Sequence, residues 1–532
     1  MNRFVAQQVS RQVTGIRWEI QRENPPNALW GSNGVAFGPD GRLHVAQYLA
    51  GQISAVDVES GEVEVVVPLD GPVRSPDDLA FGADGSMYIT DLNPGLVWRR
   101  TPAGEFSVVA DGLRCPNGIT CVGDRLFVNE MYRDGRVFEL FPDGGAPVVL
   151  TDGLAMGNAM QLGPDGLLYY PHMMTGEVWR ISPEGGTPEL VAEQVHQPVA
   201  VRFDRGGELV VVSRGVEGIV TRFDGAGARS ITTTGIAGMD NAAFDAENRM
   251  LVSSFASGGL TRIELDEKPR PIVARGFSGP FDVTADEKGR WYATDHFRLG
   301  TATGELGGEA GGPLLSELGG FAHGVVADGG LLHLTSQFGD VRTYDPAEGA
   351  ARVRASGLAG AGGIAVDADG ALVVAEPGGG RVLSIDRDDV VTALAEGLDA
   401  PADVAIDGAG ECYVSDQGAG QVLRISADGA EIVAGGIARP QGLTWHDGEL
   451  FVVEAGRRRL LAISPATGEH RVEAEDLPVG PPPGSAPAEP EPVTAPGIPG
   501  QPRAFAGITT APDGSLLLAA GGEGTILRLT RA

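Results

Sequence analysis

Short runs in which apolar and polar residues alternate fill most of the chain, separated by glycine, aspartate and proline. Val35-Ala-Phe, Leu43-His-Val-Ala, Gln52-Ile-Ser-Ala-Val-Asp and Val63-Glu-Val-Val-Val follow one another within a single segment. Runs of this length and period predict strands, and the Asp-Gly and Gly-Gly pairs between them supply the positive φ of tight hairpins. The set then recurs. Gly31-Ser-Asn-Gly-Val-Ala-Phe-Gly-Pro-Asp-Gly is echoed from Ser75, and further copies open at Cys115-Pro-Asn-Gly, Met156-Gly-Asn-Ala, Gln197-Pro-Val-Ala and Gly238-Met-Asp-Asn. Their third residues fall at 33, 77, 117, 158, 199 and 240, spacings of 44, 40, 41, 41 and 41. A helical repeat of this period would show apolar spacing near 3.6 residues, and none is found. Four antiparallel strands per repeat predict a β-propeller blade.

A second series opens at Gly279-Pro-Phe-Asp, Ala322-His-Gly-Val, Ala361-Gly-Gly-Ile, Pro401-Ala-Asp-Val, Pro440-Gln-Gly-Leu and Phe505-Ala-Gly-Ile. Twelve copies predict an all-β fold of tandem β-propellers, two six-bladed discs of four-stranded antiparallel blades. The expected divisions are an N-terminal segment over 1–30, propeller 1 over 31–278 and propeller 2 over 279–532. A proline-rich, acidic stretch over 481–503 is expected to be a loop between the last two copies. The final copy has sequence for only three strands. Gly15–Ile20 is expected to supply the fourth and cover the open edge, the alternative being that residues 1–30 lie on the first propeller.

Composition narrows the function classes. Of 532 residues, 80 are glycine and 42% are hydrophobic, which suits many short strands rather than disorder. The formal charge of −31 leaves no basic face for nucleic acid. No run is apolar enough for a membrane span or a secretory leader, and three cysteines, Cys115, Cys121 and Cys412, make no disulfide framework. The expectation is a cytoplasmic protein, a monomer or small homo-oligomer, with a small molecule as its partner.

In a propeller the first strand of each blade lines the channel and the second returns beside it. The start of the first and the end of the second therefore share one face. Asn33, Asp77, Asn117, Asn158, Val199 and Asp240 are thus expected to ring one mouth of the first channel, with Asp78 and Asn241 adjacent. Three amides and two carboxylates on one axis form the ligand set of a hard cation, Ca²⁺ before Mg²⁺. The simpler alternative is that each side chain bonds nearby backbone, as in Asx-turns. Loops after the second strands would add Tyr48, Tyr132, Met173, Met174 and Phe255 as a pocket wall. The matching positions of the second series, Phe281, His323, Gly362, Ala402, Gln441 and Ala506, lack the polar ring. The chemistry is therefore assigned to propeller 1.

The Ser32-Asn33-Gly34-Val35 and Pro116-Asn117-Gly118-Ile119 openings resemble the gluconolactonase/senescence-marker-protein family, and the Asp240-Asn241 pair is similar to that of the related paraoxonases. The later repeats resemble NHL-type propellers. The resemblance implies six-bladed propellers with calcium or another divalent ion (Mg²⁺, Mn²⁺ or Zn²⁺) in the channel, hydrolysing lactones, esters or phosphotriesters. Asn33 stands where that family's first blade presents a glutamate ligand. On this basis Asn33, Asn117, Asn158, Asp240 and Asp77 are candidate metal ligands. Asp240 or Asp77 is the candidate for activating water, and His172 and Glu130 are candidates for proton transfer. His172 serves equally as an aromatic rim residue. Glu130 occupies a slot held elsewhere by Asp91, Asp295, Glu376, Asp416 and Glu454, which marks it first as a structural acid. Tyr48, Tyr132, Met173, Met174, Phe255 and Asn241 are the candidate substrate contacts. The expected function is a divalent-metal-dependent lactone or ester hydrolase. The alternatives are a metal-dependent lyase, isomerase or cyclase on a hydrophobic intermediate, or a non-catalytic scaffold.

Overall fold

The computed structural model describes residues 13–264, 268–296, 298–301, 322–480 and 504–532. The proline-rich stretch 481–503 lies outside them. The secondary structure of the described residues is strand and turn, arranged as twelve antiparallel sheets, ten of them four-stranded. The sheets are numbered here as blades 1–12 in chain order.

Blade 2 shows why these residues fold as they do. Pro76–Phe81, Met87–Asp91, Leu96–Arg100 and Phe106–Ala110 pair in sequence order from the channel outward. The first hairpin closes at Gly82–Ser86, where the Asp84 carboxylate accepts the Ser86 N–H at 2.9 Å. The second strand, Met87–Asp91, is buried at every position. The second strand of blade 1, Leu43–Gln47, is likewise buried throughout, although its sequence alternates. A blade is packed on both faces by its neighbours, so the two-sided burial overrides the one-sided pattern. Outer strands such as Arg229–Thr233 are largely exposed.

The innermost strands form two closed rings. Ser32–Phe37, Pro76–Phe81, Pro116–Val122, Gln161–Leu162, Pro198–Phe203 and Met239–Phe244 each touch the next, and the sixth touches the first. Asp282–Ala285, Ala322–Asp328, Ile364–Val366, Pro401–Ile406, Pro440–His446 and Ile508–Thr510 do the same. The chain accordingly divides into two compact units. Among the described residues, one is Asn27–Gly276, and the other combines those before Asn27 with those from Phe277 onward. Blade 7 has three described strands, Asp282–Ala285, Trp291–Asp295 and Arg298–Thr301.

In blade 12, Trp18–Arg22 pairs antiparallel with Thr525–Arg531 as the outermost strand. This segment lies slightly downstream of the stretch singled out in the sequence. Thr14–Gly15 instead adds a fifth strand to blade 11 through Glu475 and Ala474. Trp18 anchors the segment. It is buried against Phe451 and His446, and its Nε1 donates to Glu473 at 2.8 Å. Arg22 clasps Glu523 with two bonds of 2.7 and 3.0 Å.

Candidate functional site

The mouth of the first ring is built by a repeated local distortion. In blades 1, 2, 3, 5 and 6 the pairing of first and second strands slips just after its first rung, between Ser32 and Val35, Pro76 and Leu79, Pro116 and Ile119, Pro198 and Ala200, and Met239 and Ala242. Such bulges re-aim side chains. The slips contain Asn33, Asp77, Asn117, Val199 and Asp240. Gly34 and Gly118 follow two of them because nothing larger fits. A Cβ on Gly34 would lie 2.4 Å from Asp78 Oδ1, and one on Gly118 would lie 2.2 Å from the Asn158 carbonyl.

Hydroxyl or amide side chains near the ends of the second strands tie these bulges from blade to blade. Thr90 Oγ1 accepts the Asp78 N–H at 2.9 Å and donates to the Asn117 carbonyl of blade 3 at 2.8 Å. Asn129 takes the Gly118 N–H at 3.1 Å and donates to the Asn158 carbonyl of blade 4 at 2.7 Å. Ser253 accepts the Asn241 N–H at 3.1 Å and donates to the Asn33 carbonyl, closing blade 6 onto blade 1. The backbone of three candidate ligands is thereby held by the preceding blade.

Beneath the mouth lies a polar hub. Asp78 accepts the Leu79 and Ile119 N–H groups at 2.9 and 3.3 Å and the Asn241 side-chain amide at 3.1 Å. The Arg202 guanidinium donates to Asn241 Oδ1 and to the Ala242, Met160 and Val201 carbonyls, and stands 3.8 Å from Asp78. Arg202 also lines a cavity of about 680 Å³ that includes Phe37, Phe81, Phe203 and Phe244, at the opposite ends of the inner strands. An arginine inside an otherwise apolar inner strand, Pro198–Phe203, was the available sequence signal for this hub.

The ring side chains divide by what they bond. Asp77 and Asp240 are 4% and 7% exposed. Burial first, then the charge of Asp240 and Asp78, pushes the Asp77 carboxyl well above the usual range, and the Asn117 amide opposes this by hydrogen bonding. Burial first, then Asp78, pushes Asp240 up to about 7 against the pull of Arg214 and Arg202. Asn117 Nδ2 and Asn158 Nδ2 both donate to Met131 Sδ at 3.3 Å, which aligns the two amides. The Asn158 oxygen takes the Ala159 N–H at 2.7 Å, so Asn158 fulfils the Asx-type alternative. The buried Oδ1 atoms of Asn33 and Asn117 have no partner.

Four other candidates stand apart from this group. Glu130 accepts the Arg114 N–H and three guanidinium bonds from Arg114 and Arg136, at 2.8–3.1 Å. Burial raises it, but the arginine bonds outweigh that and hold the carboxyl below its ordinary value. It is a structural clamp rather than a proton carrier. His172 stacks on Trp179 at 5.6 Å and lies 3.6 Å from Glu177, contacts within its own blade. Desolvation lowers its pKa. Asn241 is fully buried, donates its amide to Asp78 and accepts from Arg202 and the Ala242 N–H, contacts that tie it into the hub. Met174 is 50% exposed, outside the packed wall. Tyr48, Met131, Met156, Met173 and Met239 do share one buried cluster, with Tyr132 against it. Arg214, not singled out in the sequence, lies over Phe255 with Cζ 5.2 Å from the ring centre.

These residues can be tested against a cation. Among the described residues no three of His, Cys, Asp and Glu assemble as a metal-holding group. The donor set is instead mixed: two buried carboxylates, Asp77 raised by Asp240 and Asp78 and Asp240 raised by Asp78, and two amide oxygens without partners. It fits an oxygen-seeking divalent ion, because such an ion would satisfy both orphaned oxygens and relieve the repulsion.

No family model matches the chain. It is 34% identical over 122 residues to a gluconolactonase of Zymomonas mobilis subsp. mobilis, a stretch covering 19% of this chain and 34% of that protein. The chain thus spans about a third of the length of the curated relative that it matches. Among solved structures it aligns with a streptogramin B lyase at 18% identity and TM-score 0.40, over 54% of this chain and 97% of that one. It aligns with a gluconolactonase of Xanthomonas campestris at 18% and 0.38, over 46% and 91%. A nidogen/laminin complex gives 19% and 0.39, over 43% and 91%. The chain is a tandem six-bladed β-propeller protein that resembles the gluconolactonase/senescence-marker-protein family over part of its length.

Proposed function

We propose that the first ring is a divalent-cation-dependent hydrolase of a lactone or ester. The observation that carries this reading is the pairing of two buried carboxylates held above their ordinary range, Asp77 and Asp240, with the unpartnered oxygens of Asn33 and Asn117 at one mouth. The partial similarity to a gluconolactonase supports the reaction class. Asp77, Asp240, Asn33 and Asn117 would hold the ion, with Ca²⁺ the first expectation. When bound, it supplies Lewis acidity toward a carbonyl and stabilises negative charge developing there. Around it, Met131 orients the Asn117 amide, and Tyr48, Tyr132, Met173 and Phe255 exclude water and take the apolar part of a substrate. A carboxylate oxygen of Asp240 or Asp77 takes the proton of the attacking water.

Metal content of the purified protein, paired with thermal shifts on chelation and add-back, tests this reading. An ion bound only by the folded state raises the melting temperature by mass action. Chelation is expected to lower the melting temperature and abolish turnover of aryl or alkyl esters and lactones, with Ca²⁺, Mg²⁺ or Mn²⁺ restoring both. Asp240→Asn is expected to weaken cation affinity by about tenfold or more. Running the reaction in ¹⁸O-water separates hydrolysis, which labels the product acid, from a lyase or isomerase, which does not. Full turnover after complete chelation overturns the proposal.

A further inference from the structure

Five blades of the first ring place an apolar or aromatic side chain directly after the second strand: Tyr48, Leu92, Met131, Met173 and Phe255. Blade 5 places Arg214 there, after Leu209–Ser213. Blade 5 is also the blade whose ring position is apolar, at Val199. The guanidinium is partly buried, lies over the Phe255 ring and donates to Met173 Sδ at 3.5 Å, a weak acceptor. Its Nε is out of water and has no acceptor. Among the described residues no ion pair within 4 Å involves it; the acid it senses is Asp240, farther off.

Other arginines around this ring differ. Arg202 is saturated by carbonyls and Asn241, and Arg136 is spent on Glu130; Arg114 shares the orphaned Nε, but its Nη2 is bonded to Glu130 and the Asp134 carbonyl, whereas Arg214 has no oxygen partner among the described residues. A desolvated guanidinium with only a thioether partner is costly, and the cost is offset when an acceptor arrives with a ligand. The edge formed by Nε and Nη2 is the edge that takes a carboxylate side-on with two parallel bonds.

We propose that Arg214 recognises a carboxylate on the substrate, so that the preferred class is a carboxylate-bearing ester or lactone rather than a neutral one. The inference rests on the first mouth being a substrate pocket. The test uses the full chain and two matched probe pairs. Binding of 4-acetamidobenzoate against 4-acetamidobenzamide is measured by calorimetry, and hydrolysis of 4-acetoxybenzoate against 4-acetoxybenzamide by absorbance. The carboxylate probe is expected to be preferred in both. Arg214→Met should weaken its binding by about 30-fold while leaving the amide within about threefold. Arg214→Lys should fall between, since an ammonium keeps the charge without the planar fork. Neither variant should lower the melting temperature by more than about 2 °C, because only a distant charge, a ring contact and a weak thioether bond are lost. Equal binding of the two probes, or of neither, or a carboxylate preference that survives Arg214→Met, overturns the inference. An Arg214-dependent preference without ester turnover supports the anion site and counts against the hydrolase. Turnover without that preference does the reverse.

Discussion

Three carboxylates share the channel of the first ring, and their environments set them different tasks. Asp78 is saturated by backbone, amide and guanidinium partners and acts as a structural anchor. Asp77 and Asp240 have fewer donors, and burial and a neighbouring carboxylate hold both above the ordinary range, Asp240 and Asp78 acting on Asp77 and Asp78 acting on Asp240. Without a cation, folded Asp240 keeps its proton up to about pH 7, whereas a free aspartate releases it near 3.8. The unfolded chain therefore binds fewer protons between those values, and stability must fall as pH rises through that window. The slope is about 1.4 kcal/mol per pH unit for one such group, with Asp77 acting in the same direction. In chelator, the urea midpoint is expected to drop from pH 5 to pH 7.5. Asp240→Asn or a saturating divalent cation should flatten the profile. A midpoint indifferent to pH in the cation-free protein would contradict this electrostatic picture.

At the scale of the element, the blade is a hairpin pair whose bulge sets the chemistry and whose second strand sets the spacing. Thr90 joins two blades with one hydroxyl, accepting from Asp78 and donating to Asn117. Thr90→Val keeps the shape but leaves a buried N–H and a buried carbonyl without that partner. It is expected to cost about 2–3 kcal/mol in denaturant unfolding, and to weaken cation binding through Asn117. Ser107→Ala, on the exposed outer strand of the same blade, should stay within about 0.5 kcal/mol. Equal effects of the two substitutions would show that the link between blades contributes nothing. In the second ring, Thr294, Thr335 and Ser415 make the same link, although its mouth carries Phe281 and His323 in place of the polar set. The link therefore belongs to the architecture and not to the chemistry.

For the whole molecule, the question is how a linear array of sheets closes. In the second ring, closure depends on a strand that comes from the other end of the chain, Trp18–Arg22 on Thr525–Arg531. Trp18→Ala removes a buried anchor and the Glu473 bond, and is expected to destabilise that ring by about 3–5 kcal/mol. Hydrogen exchange should quicken in Glu449–Glu454 and Leu516–Ala520 while Met87–Asp91 of the first ring stays protected. Uniform protection in the variant would mean that the amino-terminal strand is dispensable.

The repeat period, the strand count and the all-β class are local properties, so they were legible from alternation and turn residues alone. The recurring copies also share a bulge at one register, in blades 1, 2, 3, 5 and 6, and Asn33, Asp77, Asn117 and Asp240 stand within it. What each side chain bonds was not legible: Glu130 is held by Arg114 and Arg136 of its own blade and Asn158 by its own backbone, whereas only the closed ring brings Arg202 and Asn241 onto Asp78, and the oxygens of Asn33 and Asn117 are left unpartnered. Sequence sets which groups stand at the bulges of the inner strands; contacts formed only in the folded ring, many of them between blades, decide which of their polar atoms stay unpaired.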